Sequence, residues 1–168
     1  RSYQSIGDIE KATIYADLLC KTINRDQNWD DEGFIICFST YGEILENKGK
    51  YEDAIYVYNR VLDRYMQLYG VNDIKLFNSY YALARIYLNI KDYDSSLSLA
   101  NKALDVANKA NKIEEQILVK LFLIDIERLN GNLGKAISDC EILIEQINQL
   151  EEGNRLRSSY DNMLALLY

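Results

Sequence analysis

Several residue types on which most enzymes depend are missing from this chain or scarce in it. Histidine does not occur among the 168 residues, so the commonest metal ligand and the commonest general base near neutral pH are both absent. Proline is also absent and glycine occurs only 8 times, which leaves few helix breakers and no linker that would divide the chain. These absences favour one helical domain that is not an enzyme and that needs no metal or other cofactor.

Long apolar runs and an excess of positive charge are lacking too. No apolar run reaches the roughly 18 residues that a membrane-spanning helix needs. Acidic residues outnumber basic ones by 26 to 19, and the net charge of −7 disfavours binding to nucleic acid and to anionic lipid. The cysteines, Cys20, Cys37 and Cys140, are odd in number and lie in apolar helical patterns. We interpret them as reduced thiols of a cytoplasmic protein.

One short motif occurs four times at a nearly constant spacing. Its instances end at Ala12, Ala54, Ser96 and Ala136, in steps of 42, 42 and 40 residues. A fixed period of this length is the signature of a repeat protein. Apolar and small residues follow each instance at intervals of three and four, as on one face of a helix, and similar stretches precede the motif. Each unit is therefore predicted to be a helix, a tight turn and a second helix.

Small residues and large aromatic residues occupy the positions where the helices of such units would meet. Gly42 and Ala84 on the first helices allow the axes of a helix pair to approach closely, as do small residues on the second helices. Large rings would fill the spaces that remain between neighbouring units. The rings expected there belong to Tyr41, Tyr58, Tyr80 and Tyr87.

This pattern resembles the consensus of the tetratricopeptide repeat, with Gly or Ala at its eighth position, Tyr at its eleventh and Ala at its twentieth. Gly42 and Ala84 match the eighth position, and Ala54 and Ala136 match the twentieth. The resemblance implies an all-α fold, an α-α superhelix or solenoid of antiparallel helix pairs. The long period of about 42 residues is similar to the repeats of kinesin light chains and of bacterial peptide-sensing regulators.

The resemblance also implies the domain organisation. A single repeat domain is expected over residues 1–168. Its complete repeats would lie at about 34–75, 76–115 and 116–156, with partial repeats at 1–33 and 157–168. Because both ends fall within a unit, we expect the chain to be a piece of a longer protein.

The predicted units are not identical. In the third unit Ile124 stands in place of the small residue and Glu127 in place of the tyrosine, so looser or rotated packing is expected there. The turns differ as well. Gly49 and Gly131 follow the first helix where a left-handed residue is needed, and Asn89 is predicted to take this role in the second unit.

In proteins of this family the first helices line a concave face that holds an extended peptide or a helix. The resemblance implies that the contact residues here are Glu43, Asn47, Asn78, Tyr81, Arg85, Asn89, Asp125 and Arg128. An asparagine amide can donate to a peptide backbone and accept from it, which suits an extended ligand. We therefore predict a non-catalytic scaffold that binds a protein or peptide, with a second copy of the chain as another candidate partner.

Two other functions are kept as alternatives. The chain could be the peptide-pheromone-sensing part of a bacterial cytoplasmic transcriptional or phosphorelay regulator. An enzyme would need polar groups such as Glu43, Arg85 and Asp125 to converge in one pocket.

Overall fold

The computed structural model describes Leu18 and residues 31–148. In this part of the chain there are six α-helices and no β-strand, and no helix is long and apolar enough to cross a membrane. The helices are α1 (Asp31–Asn47), α2 (Tyr51–Tyr69), α3 (Phe77–Asn89), α4 (Tyr93–Lys109), α5 (Ile113–Leu129) and α6 (Leu133–Asn148), with a short 3₁₀ helix (Ile74–Leu76) before α3. The first instance of the repeated motif, Cys20 and most of the predicted partial repeats lie outside the described residues.

The helices pack in sequence as three pairs, α1 with α2, α3 with α4, and α5 with α6, and α4 also packs on α5. The predicted all-α fold of helix pairs is confirmed. The helices α1 and α5 begin at Asp31 and Ile113, ahead of the repeat boundaries expected at 34 and 116. Since α5 follows α4 after three residues, the spacing between units is shorter there than between α2 and α3, where residues 70–76 intervene.

The small residues of the repeated motif lie where two helices of a unit touch. Ala54, Ser96 and Ala136 have no exposed surface. Ser96 donates a hydrogen bond from Oγ to the carbonyl oxygen of Ala84 at 2.8 Å, which ties α4 directly to the small residue of α3. These contacts agree with the predicted role of small side chains in bringing the axes together.

Four tight turns, each of three residues, connect successive helices, and each contains one residue with a left-handed backbone. The residues are Gly49, Lys91, Asn111 and Gly131, with φ of 70°, 64°, 52° and 87°. In each turn the following amide donates to a carbonyl five residues earlier, for example Asp92 N to Tyr87 O at 2.9 Å. The prediction for Asn89 is wrong, because this residue is the last of α3 and the left-handed conformation comes two residues later, at Lys91.

The buried side chains of residues 31–148 form two clusters of unequal size. One large cluster of buried side chains runs through α1 to α4 and takes in part of α5. A smaller, separate cluster, which includes Ile124 and Cys140, lies between α5 and α6. These two helices also pack less closely than the other two pairs. The looser third unit therefore agrees with the expectation drawn from Ile124, a bulky residue where α1 has Gly42 and α3 has Ala84.

Candidate binding groove

The first helices of two neighbouring units, α1 and α3, line an open groove with a volume of about 610 Å³. Side chains that recur every three or four residues along each helix point into it, since such residues share one helix face. Tyr58 and Tyr65 of α2 also line the groove. The lining residues used below are Glu43, Glu46 and Asn47 of α1 and Asn78, Tyr81 and Arg85 of α3.

The structure brings together five of the eight predicted contact residues: Glu43, Asn47, Asn78, Tyr81 and Arg85. The other three do not line this groove. Asn89 is exposed at the end of α3. Asp125 and Arg128 lie on α5 and form an ion pair with each other, with Arg128 Nη2 2.6 Å from Asp125 Oδ1. Whether any of the eight binds a ligand stays a prediction.

An ion pair joins the two walls of the groove. Arg85 Nε donates to Glu46 Oε1 at 3.2 Å, and Arg85 Nη2 donates to the same oxygen. The Glu46 side chain is only 9% exposed, whereas that of Arg85 is 45% exposed. Glu46 is not among the eight contact residues predicted above, although the family's contact positions on the first helix include it. Its pairing with Arg85, which lies 39 residues away in the chain, could not be predicted from the sequence.

Tyr58 of α2 lines the groove beside this ion pair. The Tyr58 hydroxyl group lies near the Glu46 carboxylate and interacts with it electrostatically. Burial raises the pKa of the Tyr58 hydroxyl far above its ordinary value, and the negative charges of Glu46 and Glu43 raise it further, while Arg85 partly opposes them. Tyr58 therefore stays neutral beside the Glu46 carboxylate.

Tyr81 is fixed by aromatic contacts on two sides. Its ring stacks on Phe77 of α3, with centroids 5.9 Å apart, and meets Phe122 of α5 edge-on at 5.2 Å. The Arg85 guanidinium lies 5.8 Å from the centre of the Tyr81 ring. Burial raises the pKa of the Tyr81 hydroxyl, although the Arg85 charge lowers it. Tyr81 is thus a rigid part of the groove wall and also connects α3 with the third unit.

Other groove side chains have no partner within the described chain. Glu43, Asn47 and Asn78 are exposed, and among residues 31–148 none of the three forms a side-chain hydrogen bond or an ion pair. In contrast, Asn59 and Asn101 on the second helices each donate to a carbonyl of their own helix at 2.9 Å. The groove amides are therefore available to a ligand.

Of the three polar groups named for the enzyme alternative, Glu43 and Arg85 line the groove and Asp125 does not. Arg85 is held by Glu46, and Asp125 is paired with Arg128 outside the groove. In the part of the chain that the structure describes, no cluster of three cysteine or acidic side chains could hold a metal ion.

A comparison with known sequences identifies the repeats in the central part of the chain. The model of the tetratricopeptide repeat family matches residues 35–109, which include most of α1 and all of α2, α3 and α4. Residues 35–109 are tetratricopeptide repeats. The resemblance seen in the small and aromatic residues is confirmed, and repeats of this kind generally serve as non-catalytic scaffolds for protein interactions.

Solved structures of other proteins share the fold. A crystal structure of the nearly identical TPR-like repeats of a Podosopora anserina protein described as a kinesin light chain superposes with a TM-score of 0.73. It is 13% identical, and the alignment covers 99% of this chain and 89% of that one. BtubC (BKLC) from P. vanneervenii superposes with a TM-score of 0.72 at 17% identity, over 95% of this chain and 60% of that one. At these identities the similarity shows the fold alone, and it agrees with the predicted likeness to kinesin light chain repeats.

A much longer protein contains a related segment. The Clustered mitochondria protein homolog of Candida albicans is 25% identical over 169 residues, an alignment that covers 98% of this chain. The chain spans 11% of that protein's length.

Proposed function

We propose that this tetratricopeptide domain is a non-catalytic scaffold that binds a partner protein, and that an extended segment of the partner lies between α1 and α3. The observation that carries this proposal is the open groove of about 610 Å³ with Asn47 and Asn78 on its opposite walls. Both amides lack hydrogen-bond partners within residues 31–148. Each could pair with the backbone of a peptide without requiring a particular sequence.

Three other side chains that line the groove are held by contacts within the protein, which favours binding. Glu46 and Arg85 hold each other across the two walls, and Tyr81 is fixed between Phe77 and Phe122. Side chains that are held before the ligand arrives lose little conformational freedom on binding. The groove therefore suits a peptide that adopts its bound shape against a rigid surface.

The related segment in the Clustered mitochondria protein homolog supports a role as the interaction region of a larger protein. We propose that this chain serves such a larger protein by contacting other proteins in the cytoplasm. The bacterial peptide-sensing regulator stays a prediction, because none of the observations above tests it.

Thermal shift with a library of short synthetic peptides tests the groove. A ligand that binds only the folded protein raises its melting temperature, by roughly 5–10 °C at 100 times the dissociation constant for a domain of this size. We expect one or more peptides to stabilise the wild type. Asn47→Ala and Asn78→Ala should each weaken binding about fivefold, since each removes a hydrogen bond of about 1 kcal/mol.

Asn59→Ala is the matched control, because Asn59 is an exposed asparagine on α2 whose amide donates to the Ile55 carbonyl and does not line the groove. It should bind the same peptides as the wild type. Equal binding by all three asparagine variants would place the ligand elsewhere on the protein. No stabilisation by any peptide would contradict the proposal of an extended ligand.

A further inference from the structure

We infer that the groove selects a partner segment that carries a lysine or arginine, and that the Glu43 carboxylate recognises this basic side chain. The inference rests on the proposed function and specifies the chemistry of the ligand.

The charges that line the groove do not cancel. They are the carboxylates of Glu43 and Glu46 and the guanidinium of Arg85. Arg85 is committed to Glu46 by two donated hydrogen bonds, so this pair is neutral as a unit. Glu43 is exposed, and no cation among residues 31–148 forms an ion pair with it. One negative charge is therefore left for the ligand.

Arg85 is a poor receptor for an acidic ligand in spite of its exposure. A ligand carboxylate that took its guanidinium would leave the Glu46 carboxylate, which is only 9% exposed, without its cation. A largely buried carboxylate that loses its cation is left with an uncompensated charge, which is unfavourable. The approaching carboxylate would also meet Glu43. The groove thus discriminates against acidic segments as well as favouring basic ones.

Glu43 is well placed for such recognition. It lies four residues before Asn47 on the same face of α1, so the two side chains are neighbours on the helix surface. A ligand backbone held by Asn47 and Asn78 would pass beside the Glu43 carboxylate, within reach of a long basic side chain. The net charge of −7 for the whole chain would also attract a cationic segment from a distance.

Three pools of synthetic decapeptides test this inference. Each pool has blocked ends and fixes lysine, norleucine or glutamate at one central position, with the other positions randomised over uncharged residues. Fluorescence anisotropy with labelled pools measures affinity. We expect the wild type to bind the lysine pool about three to five times more tightly than the norleucine pool, as for an exposed ion pair. The glutamate pool should bind most weakly, and the lysine advantage should shrink at 0.5 M salt.

The variant Glu43→Gln keeps the size of the side chain and removes its charge, so it should bind the lysine and norleucine pools equally. Asp63→Asn is the charge-matched control. Asp63 is exposed on α2 and does not line the groove, and this variant should keep the preference for lysine. The melting temperatures of both variants verify that they fold.

The possible failures separate the two proposals. Binding of all pools without a preference for lysine, or a preference that survives Glu43→Gln, would overturn the role of Glu43. Sensitivity of the same binding to Asn78→Ala would still support the proposed function. If no pool binds the wild type, both the scaffold groove and its selectivity are contradicted.

Discussion

Gly42 of α1 lies so close to the Tyr58 ring that there is little space for a side chain. A Cβ atom at this position would lie 2.9 Å from Tyr58 Cζ and 3.0 Å from a neighbouring ring carbon. The ring has little room to withdraw, because Tyr58 is itself buried in the core. We expect Gly42→Ala to lower the free energy of unfolding by about 1–3 kcal/mol, the usual cost of overpacking. Urea denaturation measures the change.

At Gly134, unlike at Gly42, an alanine would meet no neighbouring atom. It lies in α6, and no heavy atom is within 4 Å of the position that its Cβ would occupy. Gly134→Ala should therefore raise the free energy of unfolding by about 0.5 kcal/mol, because alanine loses less backbone entropy in a helix. Similar effects of the two substitutions would contradict the tight contact at Gly42.

Glu127 of α5 is a buried acidic residue whose pKa is set by its hydrogen-bond partners. It is 5% exposed, its Oε2 accepts from Asn132 Nδ2 at 2.6 Å, and its Oε1 accepts from the Lys135 ammonium group. These hydrogen bonds, first that from Lys135 and then that from Asn132, lower the pKa of Glu127 although burial opposes them. A carboxylate therefore replaces the expected tyrosine by joining α5 to the start of α6.

A lowered pKa means that the ionised form of Glu127 stabilises the folded state. The contribution is present above the unfolded pKa of about 4.3 and is lost as pH falls through the lower folded value. We expect Glu127→Gln to be less stable than the wild type by about 1 kcal/mol at pH 7. The difference should diminish by pH 3. Urea denaturation at the two pH values measures it, and an unchanged difference would show that the charge of Glu127 is not responsible.

At the scale of helices, α2 and α4 begin in the same way but with different residues. Lys50 precedes α2 with φ −84° and ψ 67°, and Asp92 precedes α4 with φ −86° and ψ 81°. Asp92 Oδ1 accepts from the Ser95 amide at 3.1 Å, whereas Lys50 has no side chain that can cap the helix. The first turn of α2 is thus left without its capping hydrogen bond.

Asparagine at position 50 should supply this cap. We expect Lys50→Asn to raise the free energy of unfolding by about 1 kcal/mol, the typical contribution of a helix N-cap. Lys50→Gln removes the same positive charge but is too long to cap, so it serves as the control. Thermal unfolding of the two variants compares them, and equal melting temperatures would attribute any gain to the charge alone.

The sequence was sufficient to locate the helix pairs but not all of their connections. Ala54 and Ser96 could be recognised because small residues recur where two helices touch, and burial enforces that pattern. The turn at Lys91 could not, since its left-handed backbone is imposed by the packing of α3 on α4 and tolerated by a residue that does not favour it. Local preference pointed to the wrong residue, Asn89.

The groove, too, could be predicted from the sequence only in part. Glu43, Asn47 and Asn78 could be placed on one surface because the resemblance to the tetratricopeptide repeat assigns them to contact positions of the first helices, and all three line the groove. The pairing of Glu46 with Arg85 could not be predicted, because it depends on the conformations of two long side chains from different units. Spacing therefore predicts which residues share a surface, but not which of them are left free to bind.

At the scale of the whole molecule, side-chain contacts connect each unit with the next. Glu46 of the first unit pairs with Arg85 of the second, and Tyr81 of the second contacts Phe122 of the third. Each unit contacts its neighbours in sequence, and the stability of such a solenoid is approximately a sum of terms for units and interfaces. Units that pack differently should then differ in the free energy of their local unfolding.

The third unit should open first. Among residues 31–148, the buried side chains of this unit form a small cluster of their own between α5 and α6, and these helices pack less closely than α3 and α4. Hydrogen exchange followed by mass spectrometry reports the free energy at which each helix opens. We expect the slowest amides of α5 and α6 to exchange roughly 10 to 100 times faster than those of α3 and α4, which corresponds to about 1–3 kcal/mol less protection.

Paired core substitutions identify the source of this difference. Cys140→Ala shortens a fully buried side chain of the small cluster, so it should speed exchange in α5 and α6 and leave α3 and α4 nearly unchanged. Val61→Ala, in the large cluster, should affect the first two units instead. If either variant accelerated all helices equally, the repeats would form one cooperative unit. The interfaces at Arg85 and Phe122 would then be strong enough to outweigh the looser packing of α5 on α6.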